Sequence, residues 1–175
     1  METITINKAS QSGIRALSRK LSELLRDKNR QIYRDNVTKF GIPQEYVRQA
    51  FSEEALRETA TTWKSDFYLA LENRCKILGF AQVTQKNKSL AELDRIVVFP
   101  ENTRKGIGTQ LLSKVLAEQK RKRVTTIIVN AGKEETHARR FYEKSGFKST
   151  NETTVETPWG NKLTLVIYQL EIGPK

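Results

Sequence analysis

A junction between a strand and a helix, marked by two glycines, constrains this chain more than any other feature. A β-branched run ending at Val98 is followed by a polar loop and by Gly106-Ile107-Gly108, after which apolar residues recur at helical spacing. Such a junction leaves backbone N–H groups without intrahelical partners at the positive end of the helix dipole. The segment therefore predicts an anion-binding loop, and pyrophosphate is a common occupant of such loops.

A second segment, further along the chain, supports the interpretation of the glycine loop as an anion-binding site. Residues 138–147 read Ala-Arg-Arg-Phe-Tyr-Glu-Lys-Ser-Gly-Phe and predict a short helix that carries Tyr142 and ends at Gly146. A Gly-x-Gly without such a companion is more often a simple turn into a helix. A nicotinamide dinucleotide site would need Gly-x-Gly-x-x-Gly near an early strand and an acidic residue ~20 positions further on. This chain lacks that arrangement.

Length and composition predict a single domain over residues 1–175. The composition, 37% hydrophobic and 29% charged, is that of an ordinary globular protein rather than a disordered one. No stretch approaches the ~20 apolar residues that span a bilayer, and the start of the chain lacks a signal-peptide pattern. The single cysteine, Cys75, excludes an internal disulfide. We therefore expect a cytoplasmic protein with no membrane partner.

The chain is basic, with 31 Lys and Arg against 20 Asp and Glu and a net charge of +11. This balance favours anionic partners, including phosphorylated cofactors and nucleic acid. The densest basic run, residues 120–123, ends a predicted helix, where cations offset the negative end of the helix dipole. Nucleic-acid binding would require aromatic residues among the basic ones, and this run has none. We therefore do not expect a nucleic-acid partner.

Hydrophobic periodicity predicts the order of the secondary-structure elements. A short strand through Ile4 and Ile6 precedes an amphipathic helix over residues 12–27, and residues 30–66 are mostly helical. The later predictions are strands over 67–72, 76–84 and 89–98, a helix after Gly106, a strand over 124–129, a helix ending at Gly146, and a hairpin of strands over 147–156 and 163–172. Since a helix separates strands 89–98 and 124–129, they should pair in parallel.

These motifs and this order of elements resemble the GNAT superfamily of N-acetyltransferases, which move an acetyl group from acetyl-CoA to an amine. The resemblance covers the chain well from residue 67 onward and is thinner over residues 1–66. It implies the GNAT acyl-CoA N-acyltransferase fold, an α/β fold in which a mixed, mostly antiparallel sheet is flanked by helices and has a parallel pair at the cofactor cleft. Residues 92–98, Glu-x-x-Arg-Ile-x-Val, look like the PaiA-like diamine and spermidine acetyltransferase branch.

The resemblance also implies how acetyl-CoA is bound. Residues 103–109 would hold the pyrophosphate, and the strand end at 96–98 would pair with the pantetheine arm as an extra strand does. Thr103 stands where the family has Arg or Gln, and Arg104 stands where glycine is common. The implied cofactor-binding residues are Ile96, Val97, Val98, Thr103, Arg104, Lys105, Gly106, Ile107, Gly108, Thr109, Glu135, Ala138, Tyr142 and Lys144.

Acetyl transfer to an amine requires two proton transfers, because an alkylammonium has a pKa near ~10.4 and a thiol near ~8.5. Tyr142 lies at the family's general-acid position, from which it would protonate the departing CoA thiolate. The alternative is a core tyrosine packed beside Phe141. Glu135 stands where an asparagine is usual in the family, and it could accept hydrogen bonds from pantetheine amides but could not donate them.

Two carboxylates are candidates for the general base. In a regular strand Glu92 and Asp94 share one face, ~7 Å apart. Glu92 matches the position of the catalytic glutamate in histone acetyltransferases of the family. The base is therefore Glu92, Asp94 or water alone, and the alternative for either carboxylate is an ion pair with a neighbouring strand. The backbone N–H of Val98 would polarise the acetyl carbonyl, by the same resemblance.

The predicted function is transfer of the acetyl group from acetyl-CoA to a primary amine by direct attack in a ternary complex. The amine could belong to a polyamine, another small molecule, or a protein or peptide. Two other classes stay open: a non-catalytic acyl-CoA-binding regulator or sensor, and a nucleic-acid-binding module whose binding would depend steeply on salt. The last strands of the chain would permit a homodimer. We expect no metal, since His137 is the only histidine.

Overall fold

Seven strands form one sheet in the order β1-β2-β3-β4-β5-β7-β6, as described for residues 3–174 by a computed structural model. The strands are β1 (Ile4–Lys8), β2 (Ser65–Glu72), β3 (Lys76–Gln85), β4 (Leu90–Val98), β5 (Thr126–Gly132), β6 (Lys148–Glu156) and β7 (Lys162–Glu171). The helices are α1 (Gln11–Leu24), α2 (Gln31–Tyr33), α3 (Gln44–Ala50), α4 (Glu53–Thr62), α5 (Ile107–Arg121) and α6 (Thr136–Lys144).

The predicted mixed α/β fold is confirmed. Neighbouring strands are antiparallel except β4 and β5, which are parallel and are connected through α5. The helical stretch before β2 contains one element that periodicity does not predict, a π-helical turn over Arg34–Thr38 that continues α2. A 3-10 turn over Pro100–Asn102 follows β4. Strand β6 is the outer edge of the sheet and is exposed along most of its length.

Two apolar layers cover the two faces of the sheet. On one face, the predicted stripe of α5, including Ile107, Leu111 and Val115, packs against β2, β3 and β4. On the other face, α1 to α4 cover residues such as Phe80 and Phe99. Because burying apolar surface is the main source of stability, these two layers fix the sheet between the helices.

Strands β4 and β5 run together for only a short distance. Their pairing extends from Leu90↔Thr126 to Glu92↔Ile128, whereas β5 pairs with β7 along its whole length, to Gly132. Beyond Glu92, β4 therefore has one edge bonded to β3 and one open edge that faces the diverging β5. This open edge positions the candidate site.

A β-bulge interrupts β4 just beyond the point of divergence. Leu93 pairs with Val83 and Arg95 with Gln82, so that Asp94 is an extra residue without a partner in β3. Residues three apart in a regular strand face opposite sides. Here Leu93 and Ile96 pack in the same core layer, under α5. The bulge therefore changes the simple alternation expected from the sequence.

Gly79 allows β3 to approach the end of β4. A Cβ atom at this position would lie 2.5 Å from the carbonyl oxygen of Val97 and 3.0 Å from the Cα of Val98. Both are backbone atoms, so the end of β4 would have to move. We expect Gly79→Ala to lower the free energy of unfolding by about 1–3 kcal/mol, measured by urea denaturation.

Gly108→Ala is the matched control, since a Cβ at Gly108 would make only ordinary contacts, at 3.6 Å or more. This variant should unfold at the same or slightly higher urea concentration, because alanine favours the helix. Equal destabilisation by the two substitutions would contradict the role given to Gly79.

Candidate active site

A cleft of about 1590 Å³ opens where β4 and β5 separate. Its loop side consists of residues drawn from 96–109 and 134–142, at the end of β4, the start of α5 and the start of α6. Its helical side consists of residues drawn from 30–51, in α2, the π-helical turn and α3, together with Trp159 in the β6–β7 turn. Asp94 and Arg95 of β4 lie between the two sides.

The loop before α5 is shaped to bind an anion. Arg104 and Gly106 both have left-handed backbone conformations, with φ of 64° and 71°. The N–H groups in the first turn of any helix have no intrahelical acceptor. In α5 no side chain caps them either. Unpaired N–H groups at a helix N-terminus form a binding site for phosphate groups. The left-handed conformation at Arg104 is one that glycine adopts at lower cost than arginine.

Two polar side chains in this loop have contrasting roles. The hydroxyl of Thr103 donates to the carbonyl oxygen of Pro100 at 3.0 Å, so it stabilises the turn itself. Asn102 is 2% exposed and lines the cleft, and its amide nitrogen has no acceptor within residues 3–174. A buried donor without an acceptor is costly. Asn102 is therefore a further candidate for ligand contact, which the sequence analysis missed.

The end of β4 presents unpaired backbone groups to the cleft. Ile96, Val97 and Val98 line it and are half-buried. The N–H of Phe99 donates to Leu78 at 2.9 Å, toward β3. Since successive residues of a strand point their N–H groups to opposite edges, the N–H of Val98 points to the open edge. An extended ligand could pair there as an added strand.

Not all of the remaining residues implied as cofactor contacts lie in the cleft. Ile107, Gly108, Thr109 and Ala138 line the cleft. Lys105 does not line it. Lys144 lines a separate depression of about 330 Å³ between α5 and α6, to which Thr109 also contributes.

Tyr142 lies in the wall of the cleft, 7% exposed, with edge contacts to the rings of Phe141 and Phe147. Its hydroxyl has no hydrogen bond with another described residue. Burial, and then the negative charge of Glu135, raise the pKa of Tyr142 to about 12. The phenol is therefore protonated at neutral pH and can donate a proton to a group in the cleft.

Glu135 closes the turn between β5 and α6. One of its carboxylate oxygens accepts from the N–H of Gly132 at 2.8 Å, and the other lies 3.7 Å from the Nζ of Lys39. Lys39 follows the π-helical turn on the helical side, so this ion pair connects the two sides of the cleft. The sequence analysis gave Lys39 no role.

The two candidate carboxylates lie in different environments. Glu92 is bound to Lys86, with Nζ 2.7 Å from Oε2, and to the amide of Asn130 at 2.9 Å, and it does not line the cleft. Asp94 lines the cleft and accepts from the hydroxyl of Thr84 at 2.6 Å. Burial raises the pKa of Asp94, and the charge of Glu92 adds to that rise.

A third charged residue, Arg95, follows the two carboxylates in β4. In the sequence it appears only as part of the motif over residues 92–98. It lines the cleft, and its guanidinium lies 5.2 Å from the centre of the Phe51 ring. Burial lowers the pKa of Arg95, against the opposing effect of Asp94. The sequence feature that could have indicated a role for Arg95 is the presence of an arginine within an otherwise apolar strand end.

Clustered metal ligands and membrane-spanning helices are both absent from residues 3–174. No group of three or more His, Cys, Asp and Glu residues in this part of the chain could hold a metal ion. His137 is exposed at the start of α6, and Cys75 is exposed in the β2–β3 turn. The described helices include none that is both long enough and apolar enough to cross a membrane.

Comparisons with known proteins agree with this geometry. The sequence model of the acetyltransferase (GNAT) domain matches residues 26–161. Among curated protein sequences, none matches this chain. The solved structure of PaiA N-acetyltransferase from Thermoplasma acidophilum, in complex with coenzyme A, has a TM-score of 0.70 and 21% identity, and the match covers 97% of this chain and 99% of that one.

Two further structures are similar. The ribosomal-protein-S18-alanine N-acetyltransferase from Escherichia coli has a TM-score of 0.70 and 19% identity, covering 99% of this chain and 96% of that one. A GNAT family acetyltransferase from Elizabethkingia anophelis with acetyl-CoA bound has a TM-score of 0.60 and 19% identity, covering 96% and 97%. These structures share the fold, and the sequence model spans most of the chain. The chain therefore belongs to the GNAT family of acetyltransferases, and it is an N-acetyltransferase whose cosubstrate is acetyl-CoA.

Proposed function

We propose that this enzyme acetylates a primary amine by direct attack in a ternary complex, with Tyr142 as general acid and Asp94 as general base. The observation that carries the proposal is that one cleft is lined both by a buried phenol with a free hydroxyl and by a carboxylate with a raised pKa. The helical side would hold the amine, and the loop side would hold acetyl-CoA. Acetyl-CoA supplies the activated acetyl group.

The loop side offers backbone contacts along the length of this cosubstrate. The N–H groups of residues 106–109 would bind the pyrophosphate, with Arg104 adding positive charge. The open edge of residues 96–98 would pair with the pantetheine amides. The N–H of Val98, which points to that edge, would donate to the acetyl carbonyl oxygen and stabilise the charge that develops on it.

Asp94 and Tyr142 would carry out the two proton transfers. Asp94 accepts a proton from the substrate ammonium, and the free amine nitrogen then attacks the carbonyl carbon. As the new C–N bond forms and the C–S bond breaks, Tyr142 donates its proton to the thiolate sulfur. The nitrogen then loses a second proton, which restores the Tyr142 phenol, so the products are the neutral amide and the CoA thiol. We prefer Asp94 to Glu92 because Glu92 forms an ion pair with Lys86 and does not line the cleft.

Two measurements test the function as a whole. Titration calorimetry with acetyl-CoA, with dephospho-CoA and ATP as comparisons, should show stoichiometric binding that is tightest for acetyl-CoA. A panel of amines should then produce CoA release that depends on the amine. Binding without amine-dependent CoA release would instead favour a non-catalytic acyl-CoA sensor.

Tyr142→Phe removes only the phenolic proton donor. We expect kcat to fall about 100-fold, a typical contribution of general acid catalysis, while the Kd of acetyl-CoA changes little. Tyr33→Phe is the matched control, because Tyr33 is buried but does not line the cleft. If Tyr142→Phe kept the full kcat, Tyr142 would be a packing residue.

Asp94→Asn removes the proposed base, and Glu92→Gln is its comparison. For Asp94→Asn we expect a loss of about 100-fold in kcat/KM at neutral pH, where the amine is protonated. The loss should shrink as pH approaches the ammonium pKa of ~10.4, since the amine then needs no base. In the unmodified enzyme, kcat/KM should rise with pH through the raised pKa of Asp94.

Glu92→Gln should cost less at every pH, because its carboxylate is bound to Lys86. A loss in Asp94→Asn that stayed the same from neutral to alkaline pH would exclude Asp94 as the base. A pH-dependent loss confined to Glu92→Gln would assign the base to Glu92.

A further inference from the structure

The Arg95 guanidinium is held in place by packing rather than by charge. Its position in β4 is opposite Gln82, directly after the bulged Asp94. It lies over the ring of Phe51, which is 3% exposed at the end of α3. A cation above a ring face is attracted by the ring, and this contact leaves the guanidinium N–H groups free to donate.

Within residues 3–174, Arg95 forms no hydrogen bond and no ion pair. The neighbouring carboxylate, Asp94, acts on Arg95 only through its charge and accepts a hydrogen bond from Thr84 instead. Other basic residues on the helical side do have partners: Lys39 pairs with Glu135, and Arg34 donates to Gln31 at 3.1 Å. A partly buried cation without an acceptor is unfavourable. The site therefore lacks an anion that a ligand can supply.

The bulge places this cation beside the proposed base. Asp94 contacts Thr84 and Arg95 contacts Phe51, so both side chains reach the side of the sheet that α1 to α4 cover. Their Cα atoms are neighbours in the chain, ~3.8 Å apart. In a ligand that bound both side chains, an ammonium group would contact Asp94 and an anionic group would contact Arg95. The two groups would therefore be attached to the same carbon atom of the ligand or to nearby carbon atoms.

We propose that Arg95 binds a carboxylate of the acceptor, and that the enzyme acetylates small amines that are also acids, of the amino-acid type. This inference rests on the proposed function, since it takes Asp94 to receive the ammonium. The planar fork of a guanidinium matches a carboxylate through two parallel hydrogen bonds.

The same charges disfavour a polyamine. A second ammonium beside Arg95 would be repelled in a partly desolvated cleft. Arg30 and Arg34 also line the helical side, where Asp35 is the acidic residue, whereas Lys39 on that side is paired with Glu135. The resemblance of residues 92–98 to the diamine and spermidine branch therefore does not extend to the charge of the acceptor pocket.

The test compares matched acceptors that differ only by a carboxylate: lysine against cadaverine, and tyrosine against tyramine. CoA release gives kcat/KM for the unmodified enzyme, Arg95→Gln, Arg95→Lys, and Arg121→Gln, a control at the exposed end of α5. We expect the enzyme to prefer the acids. Arg95→Gln should reduce kcat/KM for the acids roughly 100-fold. It should not reduce kcat/KM for tyramine, and it should raise kcat/KM for cadaverine, whose second ammonium is no longer repelled. Arg95→Lys should recover part of the loss, and Arg121→Gln should have no effect.

Calorimetry separates failure of this inference from failure of the proposed function. Each acid is titrated into protein saturated with CoA, which needs no turnover. Binding by the unmodified protein that is lost in Arg95→Gln supports the inference even if no acceptor releases CoA, an outcome that would overturn only the proposed reaction. Equal kcat/KM for acids and amines, unaffected by Arg95→Gln, would overturn the inference and leave acetyl transfer intact. Absence of acid binding in the calorimeter would also overturn it.

Discussion

The hydrogen bonds of β5 decide the geometry of this protein. One edge of β5 is bonded to β7 over the whole strand, and the other is bonded to β4 for only three residue pairs. Because β5 follows β7, β4 is left with an unpaired edge at its end. An unpaired edge is a template for another extended segment. The cleft, the exposed N–H of Val98 and the adjacent helix N-terminus all lie along this edge.

Different surroundings separate the proposed general acid, Tyr142, from the proposed general base, Asp94. Aromatic neighbours surround the Tyr142 phenol and keep it protonated, with a pKa of about 12. Asp94 is also desolvated, but its hydrogen bond from Thr84 favours the charged form, so the rise in its pKa is opposed. Two groups whose environments fix different protonation states at neutral pH can act in one reaction as donor and acceptor. Glu92, two residues before Asp94, is instead fixed by Lys86.

Much of the fold follows from the sequence, because its periodicities are strong. The stripe of α5 and the parallel pairing of β4 with β5 are as predicted, and the loop at Gly106 lies between them. The sequence could not predict that Asp94 lines the cleft and Glu92 does not, since a bulge of one residue has no signature in a single sequence. The contact of Arg95 with Phe51 joins residues far apart in the chain, and the π-helical turn Arg34–Thr38 has no signature in the hydrophobic periodicity.

The bulge in β4 also decides which changes of length this strand can accept over evolutionary time. Leu93 and Ile96 face the same layer because Asp94 is an extra residue between them. Deleting Asp94 would place Leu93 and Ile96 two residues apart, and a regular strand directs such residues to the same face. Ile96 and Val98 would then still face α5, and Val97 would still face α1 to α4. Loss of one further residue would turn over every side chain beyond it. The strand can therefore lose one residue at the bulge and keep its two faces, which a strand without a bulge cannot do.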